Sequence, residues 1–350
     1  MHESRNGRDS VEQQRSTARA GTRPDRPAHL PAAVGLPLAV IAGVALPIQG
    51  RINGALGARI HDGLAAAVVS FSTGLVLMLA VSVLFPKGRS GLRALLPAVR
   101  HRSFPRWYLL AGGIGAFFVL AQSLTVSLIG IALFTVAAVT GQTLSGLWVD
   151  RIGLGPAGRK PVNGLRVLGA LLTIGAVVWA VSPRFGQGTA VAGWLLPVLL
   201  PLTAGFLMSF QQGMNGTQSV HYGTPITATL TNFATGTAAL WIAWFIKDMI
   251  FGPGSPLPAD WWYYVAGPLG CLFIGMTALL VRSLGVLLTG LGTIAGQLLG
   301  SLGLDVLFPA PGTSVALATV LGTFLTLGAI VVAALPWKGA QQDSNRSQRR

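Results

Sequence analysis

The chain has 350 residues, of which 51% are hydrophobic, 10% charged and 8% aromatic, with 46 Gly and 21 Pro and a mean hydropathy of +0.61. A soluble globular domain carries about 25% charged residues, so this balance excludes one, and the even spread of apolar residues excludes a disordered chain. The formal net charge of +15 sits in tails and short connections between apolar runs, which reads as membrane orientation rather than nucleic-acid binding.

Residues 1–32 are largely polar and mixed in charge. They lack the apolar core that a cleavable signal peptide needs and read as a disordered cytoplasmic tail. From residue 33 onward, apolar stretches of about 20 residues follow one another, each long enough at about 1.5 Å per residue to cross a hydrocarbon core of about 30 Å. The predicted spans are 34–57, 64–85, 107–126, 128–149, 164–182, 191–210, 225–247, 261–281, 285–307 and 314–335. They must be helices, because no water satisfies backbone groups inside a bilayer and a β-barrel would show shorter alternating segments. The fold class is therefore an all-α polytopic membrane protein of ten transmembrane helices. Its expected parts are the tail 1–32, a first five-span repeat 33–182, a second five-span repeat 191–336 and a cytoplasmic C-terminal tail 337–350.

With the N-terminus inside, 21 Lys and Arg fall on the inner side, against Arg51, Arg59, Arg184 and Lys247 outside. Six of the inner ones (Lys87, Arg89, Arg93, Arg100, Arg102, Arg106) lie between spans two and three. This positive-inside bias predicts both termini in the cytoplasm.

The chain aligns with itself. Gln49, Asn53, Gly54, Ala66, Phe71, Thr73 and Gly74 match Gln211, Asn215, Gly216, Ala228, Phe233, Thr235 and Gly236 at a constant offset of 162. The offset then falls to 155, pairing WYLLAGGIGAFF at 107–118 with WYYVAGPLGCLF at 262–273, Gly130 with Gly285, and GQTLSGLWVD with GQLLGSLGLD. The last spans match at 153. Five spans per unit make the second an inverted copy of the first, with a pseudo-two-fold axis in the membrane plane, as in many secondary transporters.

In the first span, Pro47 has no N–H and frees the carbonyl of Gly43, predicting a kink. Gln49 and Asn53 are four apart and share a helix face. With Gln211 and Asn215 across the axis they predict a ring of amides, read either as a solute site or as interhelical glue. Arg51 reads as snorkelling toward the outer face or, if it faces a cavity, as a site for an anionic solute. Gln142 and Gln297 are a second candidate pair for lining a polar path. Each precedes an acid by eight residues, Asp150 or Asp305, and the two acids lie near opposite membrane faces, where they read as solvated helix ends. Glycines such as Gly112, Gly115, Gly169, Gly267, Gly270 and Gly322 fall at spacings that let helices approach closely.

Catalytic constellations are missing. There is no HExxH, no phosphate-binding loop, and the five His form no cluster. No Glu follows position 12 and no Asp sits mid-span, so an intramembrane carboxylate for proton coupling is not expected. The single Cys271 cannot form an intrachain disulfide.

Together these features resemble the YdcZ-type branch of the drug/metabolite transporter superfamily, in its duplicated five-span form. The likeness rests on Q-x-x-x-N-G (Gln49 to Gly54, Gln211 to Gly216), Phe-x-x-Gly (Phe71 to Gly74, Phe233 to Gly236), the Trp-led entry to the third span (Trp107, Trp262) and G-Q followed by Asp in the fourth. It covers residues 34–335. The resemblance implies an exporter-like inner-membrane permease. The related small multidrug resistance family carries a membrane-embedded Glu in its first span, and this sequence has none. The expected function is a secondary transporter, an exporter of a small polar or amphipathic solute by alternating access. A passive channel and a structural membrane subunit without a ligand are the alternatives. No enzyme activity, cofactor, metal or nucleic acid is expected; the partners are a small-molecule solute and the bilayer, and the chain could stand alone or as a homodimer.

Overall fold

The protein, seen in a computed structural model, is described over residues 31–156, 158–159, 162, 164–184, 191–252, 254–309 and 316–334. The predicted tails, apart from Pro31 and Ala32, lie outside the described residues, as do Lys160 and the C-terminal basic residues. Among the described residues ten α-helices follow in order: α1 (Ala32–Ile60), α2 (Gly63–Leu84), α3 (Pro86–Arg100), α4 (Ala111–Ile129), α5 (Ile131–Ile152), α6 (Gly164–Val181), α7 (Val191–Tyr222), α8 (Pro225–Phe251), α9 (Ala266–Leu307) and α10 (Leu317–Ala334). No strand occurs among the described residues.

Local chemistry sets the helix ends. The Asp62 carboxylate accepts from the backbone N–H groups of Leu64 and Ala65 and caps α2. Thr224 caps α8, whose first residue is Pro225. Between α4 and α5 stands a single residue, Gly130, at φ +83°, a conformation that only glycine adopts freely.

Among the described residues seven helical segments are long and apolar enough to cross a membrane, with Leu317–Ala333 as a shorter eighth. Each predicted span nevertheless coincides with a helix or part of one. The seventh falls short on composition because α8 is diluted by Thr227, Thr229, Thr231, Asn232, Thr235 and Thr237. The eighth and ninth follow one another within α9, 42 residues in all, enough at about 1.5 Å per residue for two crossings of a bilayer core.

Contacts with α1 resolve α9 into two legs. Gly270 lies against Gln49, and Leu280 packs with Ala39 and Ala42, so the first leg runs antiparallel to α1. Gly292 then lies against Leu36 and Ala39, Gly296 against Val40, Gly300 against Val44, and Asp305 against Arg51. The second leg is therefore parallel to α1, and the chain reverses between Leu280 and Thr289. The repeat puts Gly285, the counterpart of Gly130, in that interval.

The two halves pack reciprocally. A Cβ at Gly74 would strike the Phe233 ring, and one at Gly236 the Phe71 ring. One at Gly43 would meet the Thr293 carbonyl, and one at Gly205 the Ala138 carbonyl. Gly169 of α6 lies on Ala329 and Ala333 of α10, while Gly322 of α10 lies on Ala176 and Ala180 of α6. Each contact joins one half to the other at repeat-related positions, as a two-fold requires. Small residues allow this approach where lipid offers no hydrophobic drive between helices. Large apolar side chains such as Leu171, Val178, Ile242, Phe245, Leu321 and Phe324 face outward instead, as a lipid-facing surface requires.

Only the first half carries α3. Its exposed face bears Lys87, Arg89, Arg93 and Arg100, and its inner face presses Gly91 onto Thr224 and Thr227 at the start of α8. The corresponding connection after α8 holds no α-helix, which accounts for the drop in repeat offset.

Candidate solute path between the two halves

Phe71 on α2 and Phe233 on α8 meet at the pseudo-axis with ring centroids 5.0 Å apart. Each ring is held by the glycine of the other half, so the pair fills the middle of the bundle. The helix directions place the α1 amides toward the end of the molecule where Asp62 lies, and the α7 amides toward the end where Tyr222 lies. The ring of four amides expected from the repeat is therefore not formed. Two separate clusters stand on either side of the phenylalanines; Asn53 in one, and Gln211 with Asn215 in the other, are hydrogen-bonded within their own half.

In the first cluster, the Asn53 amide donates to Gln122 Oε1 at 3.0 Å, and both residues are almost wholly buried, at 1% and 2% exposure. Gln49 is buried beside Gly270 of the second half. A small, partly open space between α1, α4, α5 and α9 is lined by Leu46, Pro47, Gln122, Thr135 and Gln297. Pro47 lies inside an unbroken α1, and the space beside it brings Gln297 of the second half to the Asn53 cluster.

In the second cluster, Gln211 and Asn215 both donate to Asn232 Oδ1, at 2.8 and 3.2 Å. Gln211 abuts Gly115 of the first half. One turn beyond, Gln218 donates to the Tyr108 carbonyl at 2.7 Å and accepts from Thr231. Gln142 is half-buried on α5, and its backbone carbonyl accepts from Ser209 of α7 at 2.9 Å. Among the described residues the buried oxygens Asn53 Oδ1, Gln211 Oε1 and Asn215 Oδ1 have no hydrogen-bond partner. A buried acceptor left unmatched is unfavourable by about 1–3 kcal/mol, so such atoms are where a solute's donors would be gained.

The acids do not behave alike. Asp150 is half-exposed and accepts from Arg166 of its own half at 2.6 Å. Asp305, expected as a solvated helix end, is instead 6% exposed. Packing against a residue without a side chain is the reason: Asp305 Oδ2 occupies the space where Gly130 would carry a Cβ and accepts from the Ala132 N–H at 2.8 Å. It thus caps α5 from the other repeat. Arg51 is directed to the same place, donating to the Phe308 carbonyl at 2.5 Å with Nη1 3.9 Å from Asp305 Oδ1. The guanidinium reaches the helix-end layer and is engaged by these groups, which removes the free charge that an anion site needs. A second bridge at this end joins Lys247 of the second half to Asp62 of the first at 2.5 Å.

Gln122, Asn232 and Gln218 were not found by the repeat because their counterparts are Thr277, Ser70 and Leu56. Self-comparison detects only duplicated residues. A scan for amides inside apolar spans would have found all three.

Comparison with known proteins agrees with this architecture. No curated protein matches the chain. One solved structure, described only as a crystal structure of a protein, superposes with a TM-score of 0.51 at 19% identity, over 86% of this chain and 96% of that one. At that identity the likeness concerns the fold alone. Residues 34–179 and 196–332 each match the family described as "Putative inner membrane exporter, YdcZ", two segments that coincide with the two packed halves. A duplicated unit, an all-helical membrane bundle and a family match over most of the length lead to one conclusion: the chain belongs to the YdcZ family of the drug/metabolite transporters, as a duplicated multi-pass inner-membrane protein of the exporter class.

Proposed function

We propose that the protein is a secondary permease that exports a small polar or amphipathic solute by alternating access between its two inverted halves, with both termini in the cytoplasm. The observation that carries this reading is the reciprocal packing around Phe71 and Phe233, with one amide cluster on each side of the pair. Inverted halves supply two near-equivalent packings, one open to each face, and the phenylalanines stand where a solute would pass between the clusters. Gln49, Asn53 and Gln297, with Gln122, make the solute contacts on one side; Gln211 and Asn215, with Asn232, make them on the other, and Gln142 lines the path beside them. The unmatched acceptor oxygens favour a solute rich in N–H or O–H donors. The basic end, with α3, faces the cytoplasm.

The test is a thermal-stability screen of the purified chain, followed by counterflow in proteoliposomes. A solute at 100 times its dissociation constant adds about 2.7 kcal/mol to a reversible unfolding. The gain should vanish in Gln211→Ala and in Asn53→Ala, and flux of that solute should saturate and show counterflow. Flux that rises linearly without counterflow would instead establish a passive channel.

A further inference from the structure

Asp305 has two oxygens in two different situations. Oδ2 accepts from the Ala132 N–H and fits against Gly130. Oδ1 is buried, has no hydrogen-bond partner among the described residues, and faces Arg51 Nη1 at 3.9 Å. Arg51 on α1 is the charged group that faces this carboxylate; the junction of α4 and α5 presents backbone, and the chain after α9 presents the Phe308 carbonyl. A buried charge is tolerated only while a partner compensates it. Here the partner belongs to the other half of the molecule and is itself held only by a carbonyl besides.

The repeat supplies an internal control. The counterpart of Asp305 is Asp150, which is half-exposed and paired with Arg166 of its own half. The counterpart of Arg51 is Gly213, which lies against Leu154 and Gly155. The arrangement of a buried carboxylate facing an arginine of the other half thus exists at one end alone.

We propose that Asp305 is a proton-binding site that couples protonation to the opening of this end of the bundle. The proton adds to Oδ1, forming an O–H bond and a neutral carboxylic acid; Arg51 keeps its charge. Oδ2 retains the Ala132 N–H, so α5 stays capped. What is lost is the attraction that holds α1 to the second leg of α9. Arg51 is then free to follow the Phe308 carbonyl or water, and the space beside Pro47, Gln122 and Gln297 becomes reachable from that end. Proton release restores the pair and closes it. This inference rests on the transport reading, because only a bundle that opens has a use for such a switch.

The experiment uses the full chain in lipid nanodiscs with Cys271→Ala and a single reporter thiol, Leu46→Cys, lining the space beside Pro47. Its rate of reaction with a polar maleimide is divided by that of the same thiol in unfolded protein at the same pH, and infrared difference spectra follow the carboxylic-acid C=O band. On going from about pH 8 to about pH 5, the normalised rate should rise about tenfold as the band appears. Asp305→Asn should react at the fast rate at both pH values and lack the band, while Asp150→Asn should follow the parent. Arg51→Gln, which leaves the cap untouched, should also be fast at both. A band that persists in Asp305→Asn, or a reporter reached at one unchanging rate in parent and variants, overturns the proton site and leaves a mobile bundle and the transport reading standing. A reporter unreachable in every protein at every pH overturns both.

Discussion

The two ends of the bundle are closed by different physics. At one end, ions of opposite sign cross between the halves: Lys247 to Asp62 and Arg51 to Asp305. At the other, the ties between halves are neutral. Gln218 bonds the Tyr108 carbonyl, Gly213 and Gly216 receive the 154–156 turn, and Phe104, Tyr108, Met214 and Tyr222 pack beneath α3. The ion pair at that end, Asp150 with Arg166, stays inside one half. Inverted repeats therefore do not imply equivalent gates. On the proposed proton switch, one end is released by a change of charge and the other by moving packed surface.

The largest expected effect that tests this contrast comes from the paired acids. Asp305→Ala removes a cap and strands a partly buried Arg51, so it should destabilise by about 3 kcal/mol, whereas Asp150→Ala should cost less than about 1 kcal/mol. Thermal unfolding in nanodiscs reads both, and equal losses would abolish the distinction. Next come steric changes at the opposite end. Gly91→Leu has no room against Thr224 and Thr227 and should destabilise by about 2 kcal/mol. Gly254→Leu, whose added Cβ would meet only the Asp62 and Lys247 side chains, should stay below about 1 kcal/mol. Ionic strength gives a smaller effect. Lys247→Gln should cost about 1 kcal/mol at low salt and less at about 1 M salt, because the lysine is partly exposed and its pair is screened. The smallest is Arg93→Gln on the exposed face of α3, expected within about 0.5 kcal/mol of the parent. A larger loss there would mean that the basic face holds the neutral end together.

Hydrophobic length and self-similarity made the span positions and the duplication readable from the residues alone, because both are local or periodic properties. The site was only partly readable. Gln49, Asn53, Gln211 and Asn215 were identified as buried amides by their place in apolar runs. Their separation into two clusters was not, since it follows from Phe71 and Phe233 meeting between them, a contact across 162 positions. Asp305 shows the same lesson more sharply. By position it is a helix end, and helix ends are ordinarily wet; its burial depends on Gly130, 175 residues away in sequence, lacking a side chain. Arg51 could not be assigned for the same reason, as its partner comes from the other repeat. The merging of two spans into α9 was also invisible, because helical propensity does not report where a chain turns back.

Gly130 joins α4 to α5 with no slack at all, and the Asp305 carboxylate grips that junction. A loop of several residues would absorb a small shift of α9 by bending. A single-residue joint cannot, so a displacement of about an ångström at Asp305 passes undiminished into both helices, whose far ends touch α7 and α8 near the second amide cluster. In mechanical terms the joint is a rigid linkage. An event at one face of the membrane would reach the opposite half without needing a chain of intermediate rearrangements.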